Sequence, residues 1–347
     1  MPTIAADILI RLSRSLFESA KVPPAEAEVV AGSLVESNLR GHDSHGVLRL
    51  PQYLQLIREG KLVPGAPLTI VDESPALVAA DGGWGLGQVQ VHRLIDLLIP
   101  KVRTVGVSVG TLRRCGHTGR VGEYAERAAR ERLAFIGAVN IHGAGNRVAP
   151  PGGAAPRLST NPLCIGSPTA SDPIILDMAT TVCAEGKIRS AFQKHERVPE
   201  GWLVDAIGKP TTDPAVLYEQ PMGTILPMGG VAAYKGFGLG FMIDALAGGL
   251  SGGMCSHPDV KFAAGNCVLF ILIDISRFGG ADHFIQEVSR LCDYVRGCPR
   301  ADGVDAIQIP GDPERQALSR RRSEGIPIPE PIWRRIVECA DFAGVSL

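Results

Sequence analysis

The sequence lacks the features that identify several large classes of protein. Lys plus Arg number 35 and Asp plus Glu number 36, giving a formal net charge of −1, so no excess of positive charge favours nucleic acid or an anionic membrane. No apolar run reaches membrane-spanning length, and the first residues show no secretory signal. The eight cysteines form no C-x-x-C pair and no zinc-spaced cluster with histidine. These absences predict a cytoplasmic protein with reduced thiols and no metal site.

The common nucleotide-binding motifs are also missing. No G-x-G-x-x-G and no Walker A sequence occurs. The nearest approach is Gly83-Trp84-Gly85, which would need a glycine at position 88, where the chain has Gln88. We therefore expect residues 81–87 to form a structural turn between a strand and a helix, and we expect neither a Rossmann nor a P-loop site.

What the chain does have is the pattern of a large mixed α/β protein. Its 347 residues include 41 glycines and 26 prolines spread between apolar runs, which predicts many tight turns rather than disorder. Helical spacing of apolar residues predicts helices over 3–20, 24–39 and 330–342, and we expect the last to pack on the first two. The apolar run Cys267 to Ile275 predicts a buried strand. The basic run Arg320 to Arg322 is interpreted as an exposed helix face.

Groups suited to acid–base chemistry and to anion binding stand close together between residues 41 and 53. His45 carries an imidazole, the side chain that changes charge nearest neutral pH. Arg49 offers a planar fork of donors that matches a carboxylate. Taken by spacing alone, the segment is better interpreted as an ordinary surface loop before a helix that starts at Pro51.

The same segment, reading GHDSHGVLRLPQY, resembles the signature of the malate/L-lactate dehydrogenase-2 family, whose members include L-sulfolactate dehydrogenases and cyclic-imine reductases. The resemblance implies a non-Rossmann α/β fold of the L-sulfolactate dehydrogenase type, a mixed sheet covered by helices, with the N- and C-terminal helices packed together. It implies NAD or NADP as cofactor and a homodimer. It also implies two domains: residues 1–110 with 300–347 on the substrate side, and residues 111–299 on the nicotinamide-nucleotide side.

Through the resemblance, particular residues acquire expected roles. The catalytic residues would be Ser44, His45, His117 and Lys187. The substrate-binding residues would be Arg49, Tyr53 and Thr160. The cofactor-binding residues would be His117, Thr118, Gly119, Arg120, Val121, Asp177, Met178, Ala179, Tyr234, Lys235, Gly311, Glu314 and Arg315. Local sequence agrees in part, because a glycine-bracketed turn that opens a helix, as at 116–122, suits a diphosphate.

These roles predict an NAD(P)-dependent dehydrogenase that interconverts a 2-hydroxy acid, such as malate, lactate or sulfolactate, and its 2-oxo acid. One alternative is an NADPH-dependent reductase of cyclic imino acids. Lys187 opposes it, since imine-reducing members carry an aspartate there and a cation disfavours a protonated imine. Another alternative, a catalytically inactive nucleotide-binding protein, is opposed by the intact Ser44, His45 and Arg49. The sequence leaves open the acid, the choice between NAD and NADP, and whether His45 or His117 is the principal acid–base group.

Overall fold

The structure is a computed structural model that describes residues 2–260 and 265–346. Within these residues the chain forms ten α-helices and twelve β-strands. The helices are α1 (Ala6–Ser19), α2 (Pro24–Leu39), α3 (Leu50–Arg58), α4 (Gly87–Val105), α5 (Gly122–Arg130), α6 (Glu185–Gln193), α7 (Ala233–Ile243), α8 (Ala281–Arg296), α9 (Asp312–Glu324) and α10 (Glu330–Ala343). The strands are β1 (Thr3–Ile4), β2 (Thr69–Glu73), β3 (Leu77–Asp81), β4 (Val107–Gly116), β5 (Leu133–Ile141), β6 (Leu163–Ser167), β7 (Ile174–Met178), β8 (Leu203–Val204), β9 (Pro210–Thr211), β10 (Thr224–Ile225), β11 (Gly265–Asp274) and β12 (Ile326–Pro327).

The centre of the molecule is a seven-stranded mixed sheet with the order β2-β3-β4-β11-β5-β6-β7. Its one parallel pair is β3 with β4, and every other neighbouring pair is antiparallel. Strand β11 lies in the middle, which explains why its sequence is a nearly continuous apolar run: both of its faces are covered. The buried strand predicted over Cys267 to Ile275 is therefore confirmed.

Helices cover the two faces of this sheet. On one face α4 and α5 pack over a core that includes Leu94, Tyr124 and Phe270. On the other face α7 and the π-helical segment Asp244–Gly249 lie against β5 and β11, around a smaller apolar cluster. The sheet is thus a rigid layer between two helical layers, an arrangement that supports loops at its edges.

The N- and C-terminal helices form a second core beside the sheet. Apolar residues of α1, α2, α3 and α10 pack together, and the short strands β1 and β12 pair antiparallel. The expected packing of the last helix on the first ones is confirmed. Because α2 also contacts α4, this helical body presents the loop that follows α2 to the edge of the sheet.

A small lobe completes the fold. The strands β8, β9 and β10 form a three-stranded sheet that shares an apolar cluster with α6. The seven-stranded sheet includes strands from both sides of position 110. The division into two domains at that position stays a prediction.

The glycine-rich segment 81–87 is a turn between β3 and α4. The carboxylate of Asp81 accepts a hydrogen bond from the backbone of Gly83 (3.0 Å) and ion pairs with Arg113 and Arg114, both at 2.8 Å. The turn is held by its own chain and by β4, in agreement with the structural role expected for it.

Candidate active site

The predicted catalytic loop is a compact turn between α2 and α3. It contains two short 3₁₀ turns, Asp43–His45 and Val47–Arg49, and α3 begins at Leu50 with Pro51 in its first turn. The Ser44 hydroxyl lies 2.9 Å from Nδ1 of His45, and Nε of Arg49 donates to the Ser44 carbonyl at 2.8 Å. Three of the predicted residues are thus connected within one turn.

The end of β4 brings His117 to the same place. Its ring stacks on that of His45, with centroids 5.4 Å apart and planes 17° from parallel. The two histidines that the sequence offered as rivals for the acid–base role therefore belong to a single site.

Behind His117 lies a buried phenol. Tyr53 is 1% exposed, and its hydroxyl is 2.6 Å from Nδ1 of His117. The side-chain amide of Gln88 donates to the same hydroxyl at 3.2 Å. That oxygen accepts from Gln88, and we assign its own proton to Nδ1 of His117, which is much nearer than the His117 carbonyl at 3.5 Å. In this tautomer Nε2 of His117 carries the ring proton.

The electrostatics of the cluster favour neutral imidazoles and an unneutralised cation. Burial, helped by the charge of Arg49, lowers the pKa of His45 to about 3. Burial, Arg49 and His45 hold the pKa of His117 well below its usual value. Burial raises the pKa of Tyr53 to about 12. At neutral pH Arg49 is consequently the charged member of the cluster.

The guanidinium of Arg49 keeps one free edge. Its Nη1 donates to Gln52 at 2.9 Å and its Nε to the Ser44 carbonyl, whereas Nη2 makes no hydrogen bond with any residue that the structure describes. Within the same residues Arg49 has no carboxylate in ion-pair distance. A half-buried cation without a counter-ion is a suitable anchor for an anionic substrate.

The first turn of α6 packs directly on this cluster. A side-chain carbon at Gly186 would lie 2.3 Å from Cβ of Ser44, so only glycine fits. Lys187, which follows, is exposed. Glu185, which precedes, accepts from Arg189 (2.9 Å) and from the Tyr218 hydroxyl (2.9 Å).

Several predicted cofactor residues line one cavity of about 200 Å³, at the junction of α5, β7 and α9. They are Arg120, Asp177, Gly311, Glu314 and Arg315, together with Arg40, Glu126 and Arg130, which the sequence had not suggested. The Asp177 carboxylate accepts from the backbone of Gly122 at 2.7 Å, and burial raises its pKa.

The cavity meets a chemical requirement of a nucleotide site. Arg120 donates from both terminal nitrogens to Glu126 (3.0 and 2.9 Å), but its buried Nε has no partner among the described residues. A buried donor without an acceptor suits a phosphate or ribose oxygen. The volume of the cavity accommodates only part of a dinucleotide. Because Arg120 offers a free buried donor, the residues that line the cavity fit that part of the cofactor.

One side-chain hydrogen bond joins the cavity to the predicted catalytic turn. Nε2 of His42 lies 3.2 Å from a carboxylate oxygen of Glu314, in the first turn of α9. Because His42 comes three residues before His45, the cavity wall and the imidazole cluster are neighbours.

Other predicted residues lie apart from these two features. Val121 belongs to the sheet core, Gly119 is buried in the turn before α5, and the backbone of Thr118 donates to Asn266 at 2.9 Å. Met178 and Ala179 are half-buried at the end of β7, and the Thr160 carbonyl accepts from the backbone of Thr180. Tyr234, 62% exposed, and the exposed Lys235 open α7. Their binding roles stay predictions.

The prediction about the basic run is wrong at one residue. Arg321 is only 12% exposed and binds Asp43, whereas Arg320 and Arg322 are exposed as expected. Sequence analysis also missed Asn38 and Gln88, because an isolated amide in a helix carries no signal of its partner.

Comparison with known proteins assigns the chain to a class and then to a family. Relatives that match the chain include dehydrogenases named for hydroxy acids. The sequence model of the malate/L-lactate dehydrogenase family matches residues 4–337. The chain therefore belongs to this family.

Individual relatives cover nearly the whole chain. The L-sulfolactate dehydrogenase of Methanocaldococcus jannaschii is 36% identical over 332 residues, 94% of this chain and 93% of the relative. The solved structure of that organism's sulfolactate dehydrogenase superposes with a TM-score of 0.87 at 33% identity, covering 99% and 98% of the two chains. Hydroxycarboxylate dehydrogenase B of Escherichia coli O157:H7 is 35% identical over 345 residues, 98% of this chain and 94% of the relative.

A relative with different chemistry shares the fold. The Δ1-piperideine-2-carboxylate reductase of Pseudomonas syringae superposes with a TM-score of 0.84 at 29% identity, covering 98% of this chain and all of that one. These matches confirm the predicted family and fold, and they indicate an oxidoreductase that acts on hydroxy acids. Across residues 2–260 and 265–346, no helix combines the length and apolarity needed to span a bilayer.

Proposed function

We propose that this protein is a dehydrogenase that interconverts a 2-hydroxy acid and its 2-oxo acid, with NAD or NADP as hydride carrier. The observation that carries the proposal is the meeting of Ser44, His45, Arg49 and His117 in one cluster. Such a reaction needs an anchor for a carboxylate and a group that exchanges a proton with the substrate oxygen.

Arg49 provides the anchor in this mechanism. Its free Nη2 edge and uncompensated charge would bind the substrate carboxylate. With the carboxylate held there, the carbon that carries the oxygen is presented to the stacked imidazoles beside it.

His45 provides the proton exchange. During oxidation its neutral ring accepts the hydroxyl proton of the substrate on Nε2, while the Ser44 hydroxyl fixes Nδ1. During reduction the protonated ring returns that proton to the carbonyl oxygen. A carboxylate bound at Arg49 offsets the charge that lowers the pKa of His45, so substrate binding makes protonation easier. The nicotinamide, when bound, supplies or receives the hydride.

His117 has a complementary role. With Nδ1 hydrogen-bonded to Tyr53, its Nε2–H is a donor for the same substrate oxygen. Because its pKa is well below neutrality, the ring stays uncharged and stabilises negative charge on that oxygen through a hydrogen bond. In this scheme Tyr53 does not contact the substrate but orients His117.

The cavity beneath α9 would hold part of the cofactor. Arg120 offers an unused donor, and Asp177 and Glu314 offer acceptors for ribose hydroxyls. Thr118, Tyr234 and the remaining predicted contacts would belong to other parts of the dinucleotide.

A reductase of cyclic imino acids is the second candidate. The structural similarity to a Δ1-piperideine-2-carboxylate reductase favours it, and Glu185 places an acid one residue from the glycine that touches Ser44. That carboxylate is already engaged by Arg189 and Tyr218, and Lys187 adds a positive charge. Both features disfavour a cationic imine.

We also propose a homodimer. Large apolar side chains are exposed along α7 and the segments beside it, namely Val231, Phe241, Met242, Leu246 and Leu250. Exposed large apolar side chains grouped along one segment of the chain are typical of an interaction surface. The substitution Phe241→Glu should shift the molar mass measured by light scattering from dimer to monomer, and a wild-type protein that is itself monomeric would contradict the proposal.

The decisive experiment follows the absorbance of NADH and of NADPH with a panel of 2-oxo acids and cyclic imino acids. We expect oxidation of the reduced nicotinamide with 2-oxo acids, abolished in His45→Ala. Turnover with cyclic imines alone would establish the second candidate. No turnover with any substrate, in protein that still binds the cofactor, would indicate a protein without catalysis.

A further inference from the structure

Arg321 reaches from α9 to the catalytic turn. Its Nη1 and Nη2 donate to the two carboxylate oxygens of Asp43, at 2.6 and 3.0 Å, and Nη1 also donates to the carbonyl of Asn38. The neighbours Arg320 and Arg322 point outward. A two-point guanidinium–carboxylate contact fixes orientation as well as distance, which a single charge does not.

Asp43 and Asn38 pass this constraint on to the whole turn. The Asn38 amide donates to Asp43 at 2.6 Å, and its oxygen accepts from the backbone of Val47 at 2.8 Å. A side-chain carbon at Gly46 would lie 2.1 Å from that oxygen, so the turn closes tightly over Asn38. Residues 43–47 are therefore clamped at both ends, with Ser44 and His45 between the two fixed points.

Helix α9 holds the segment at two consecutive residues. Glu314 binds His42 and Arg321 binds Asp43. The two α9 residues are seven apart, about two helical turns, and so lie on one face. Glu314 lines the cavity, whereas Arg321 makes its hydrogen bonds to the turn.

We propose that Arg321 is a positioning residue, which through Asp43 and Asn38 holds Ser44 and His45 in the geometry needed for proton transfer. The proposal rests on the dehydrogenase function proposed above. A misplacement of about 1 Å in a reacting group costs on the order of 10²-fold in rate, and a turn without regular secondary structure depends on such side-chain contacts for its geometry.

The kinetic test compares Arg321→Met with Arg320→Met, a matched change at the exposed neighbour. We expect Arg321→Met to lower kcat by about 10- to 100-fold with little change in KM for the nicotinamide cofactor, and Arg320→Met to resemble wild type. Arg321→Lys, which keeps the charge but loses the fork, should fall between them. Arg321→Met and Asp43→Asn should not be additive, because they break the same contact.

A readout independent of catalysis separates this proposal from the proposed function. Isotope-labelled histidine gives ring resonances, of which that of His45 is assigned by its loss in His45→Gln. We expect Arg321→Met to shift the His45 resonance in folded protein, and Arg320→Met to leave it in place. An unchanged resonance would overturn the positioning role even if the wild type showed no turnover. A kcat loss that merely follows the unfolded fraction, measured by circular dichroism at the assay temperature, would also overturn it.

Discussion

The proposed catalytic turn and the proposed cofactor cavity are built in opposite ways. Ser44, His45 and Arg49 come from six consecutive residues and meet His117, while α9 holds the turn through Arg321 and Glu314. The cavity is assembled from α5, β7, α9 and the residue that follows α2, with lining residues between positions 40 and 318. The chemical groups of the turn lie together in one short segment, which distant contacts then hold in place. A cavity, by contrast, exists only once the fold has brought its walls together. The turn should therefore respond sharply to one substitution, and the cavity more gradually.

The largest effect expected is that of His45→Ala. Loss of the group that exchanges the substrate proton should lower kcat by about 10²-fold or more, while KM for the cofactor changes little. Steady-state kinetics with the best 2-oxo acid measure it. The matched variant is His117→Ala, which removes a hydrogen-bond donor rather than the acid–base group and should cost less. If kcat fell further in His117→Ala than in His45→Ala, His117 would be the acid–base group and His45 the hydrogen-bond donor.

The next effect concerns the substrate anchor. Arg49→Met should raise KM for the 2-oxo acid about 10- to 100-fold, because a charge-assisted hydrogen bond contributes about 1.5–3 kcal/mol. Arg49→Lys should recover part of the loss, since it keeps the charge without the fork. Initial rates over a range of substrate concentrations separate KM from kcat. An unaltered KM in Arg49→Met would show that the carboxylate binds elsewhere.

A smaller effect is expected in the cavity. Asp177→Asn keeps the shape of the side chain but removes a buried acceptor charge, so we expect KM for the cofactor to rise by about tenfold or less. The 2-oxo acid should bind as before, because the arginine that anchors it is untouched. Fluorescence titration with reduced nicotinamide measures cofactor affinity directly. If the substrate KM changed instead, the cavity would belong to the substrate.

The same contrast explains what sequence analysis could predict. The first two helices, the last helix and the buried strand β11 follow from local apolar patterns, and the family resemblance implied the fold. The turn was recognisable because its chemical groups lie close together in the sequence. Arg321 was misinterpreted because three adjacent arginines are typical of an exposed helix face. Only the position of α9 beside Asp43 shows that Arg321 is partly buried and paired. No local pattern reveals that a phenol at position 53 bonds an imidazole at position 117.

The smallest expected effect concerns pH: kcat/KM for oxidation of the hydroxy acid should not change across the range in which an ordinary histidine titrates. Because the pKa of His45 is lowered to about 3 in the free protein, its ring is already neutral throughout the range in which an ordinary histidine, near 6.5, would gain a proton. The neutral form accepts the substrate proton, so kcat/KM for oxidation of the hydroxy acid should stay level from pH 8 down to about pH 5. For reduction the protonated form is needed, and kcat/KM should rise as the pH falls over the same range.

Profiles of kcat/KM against pH in both directions measure this, with the cofactor saturating and its acid lability corrected by blanks. Arg49→Lys is an informative companion. It keeps the positive charge that helps to lower the pKa of His45, so its profile should have the same shape at reduced height. Arg49→Met removes that charge, and any fall in the oxidation profile should then begin at a higher pH. A wild-type oxidation profile that declined around pH 6.5 would mean that the turn leaves His45 open to water, and the contrast between a half-buried contiguous turn and an assembled cavity would lose its electrostatic basis.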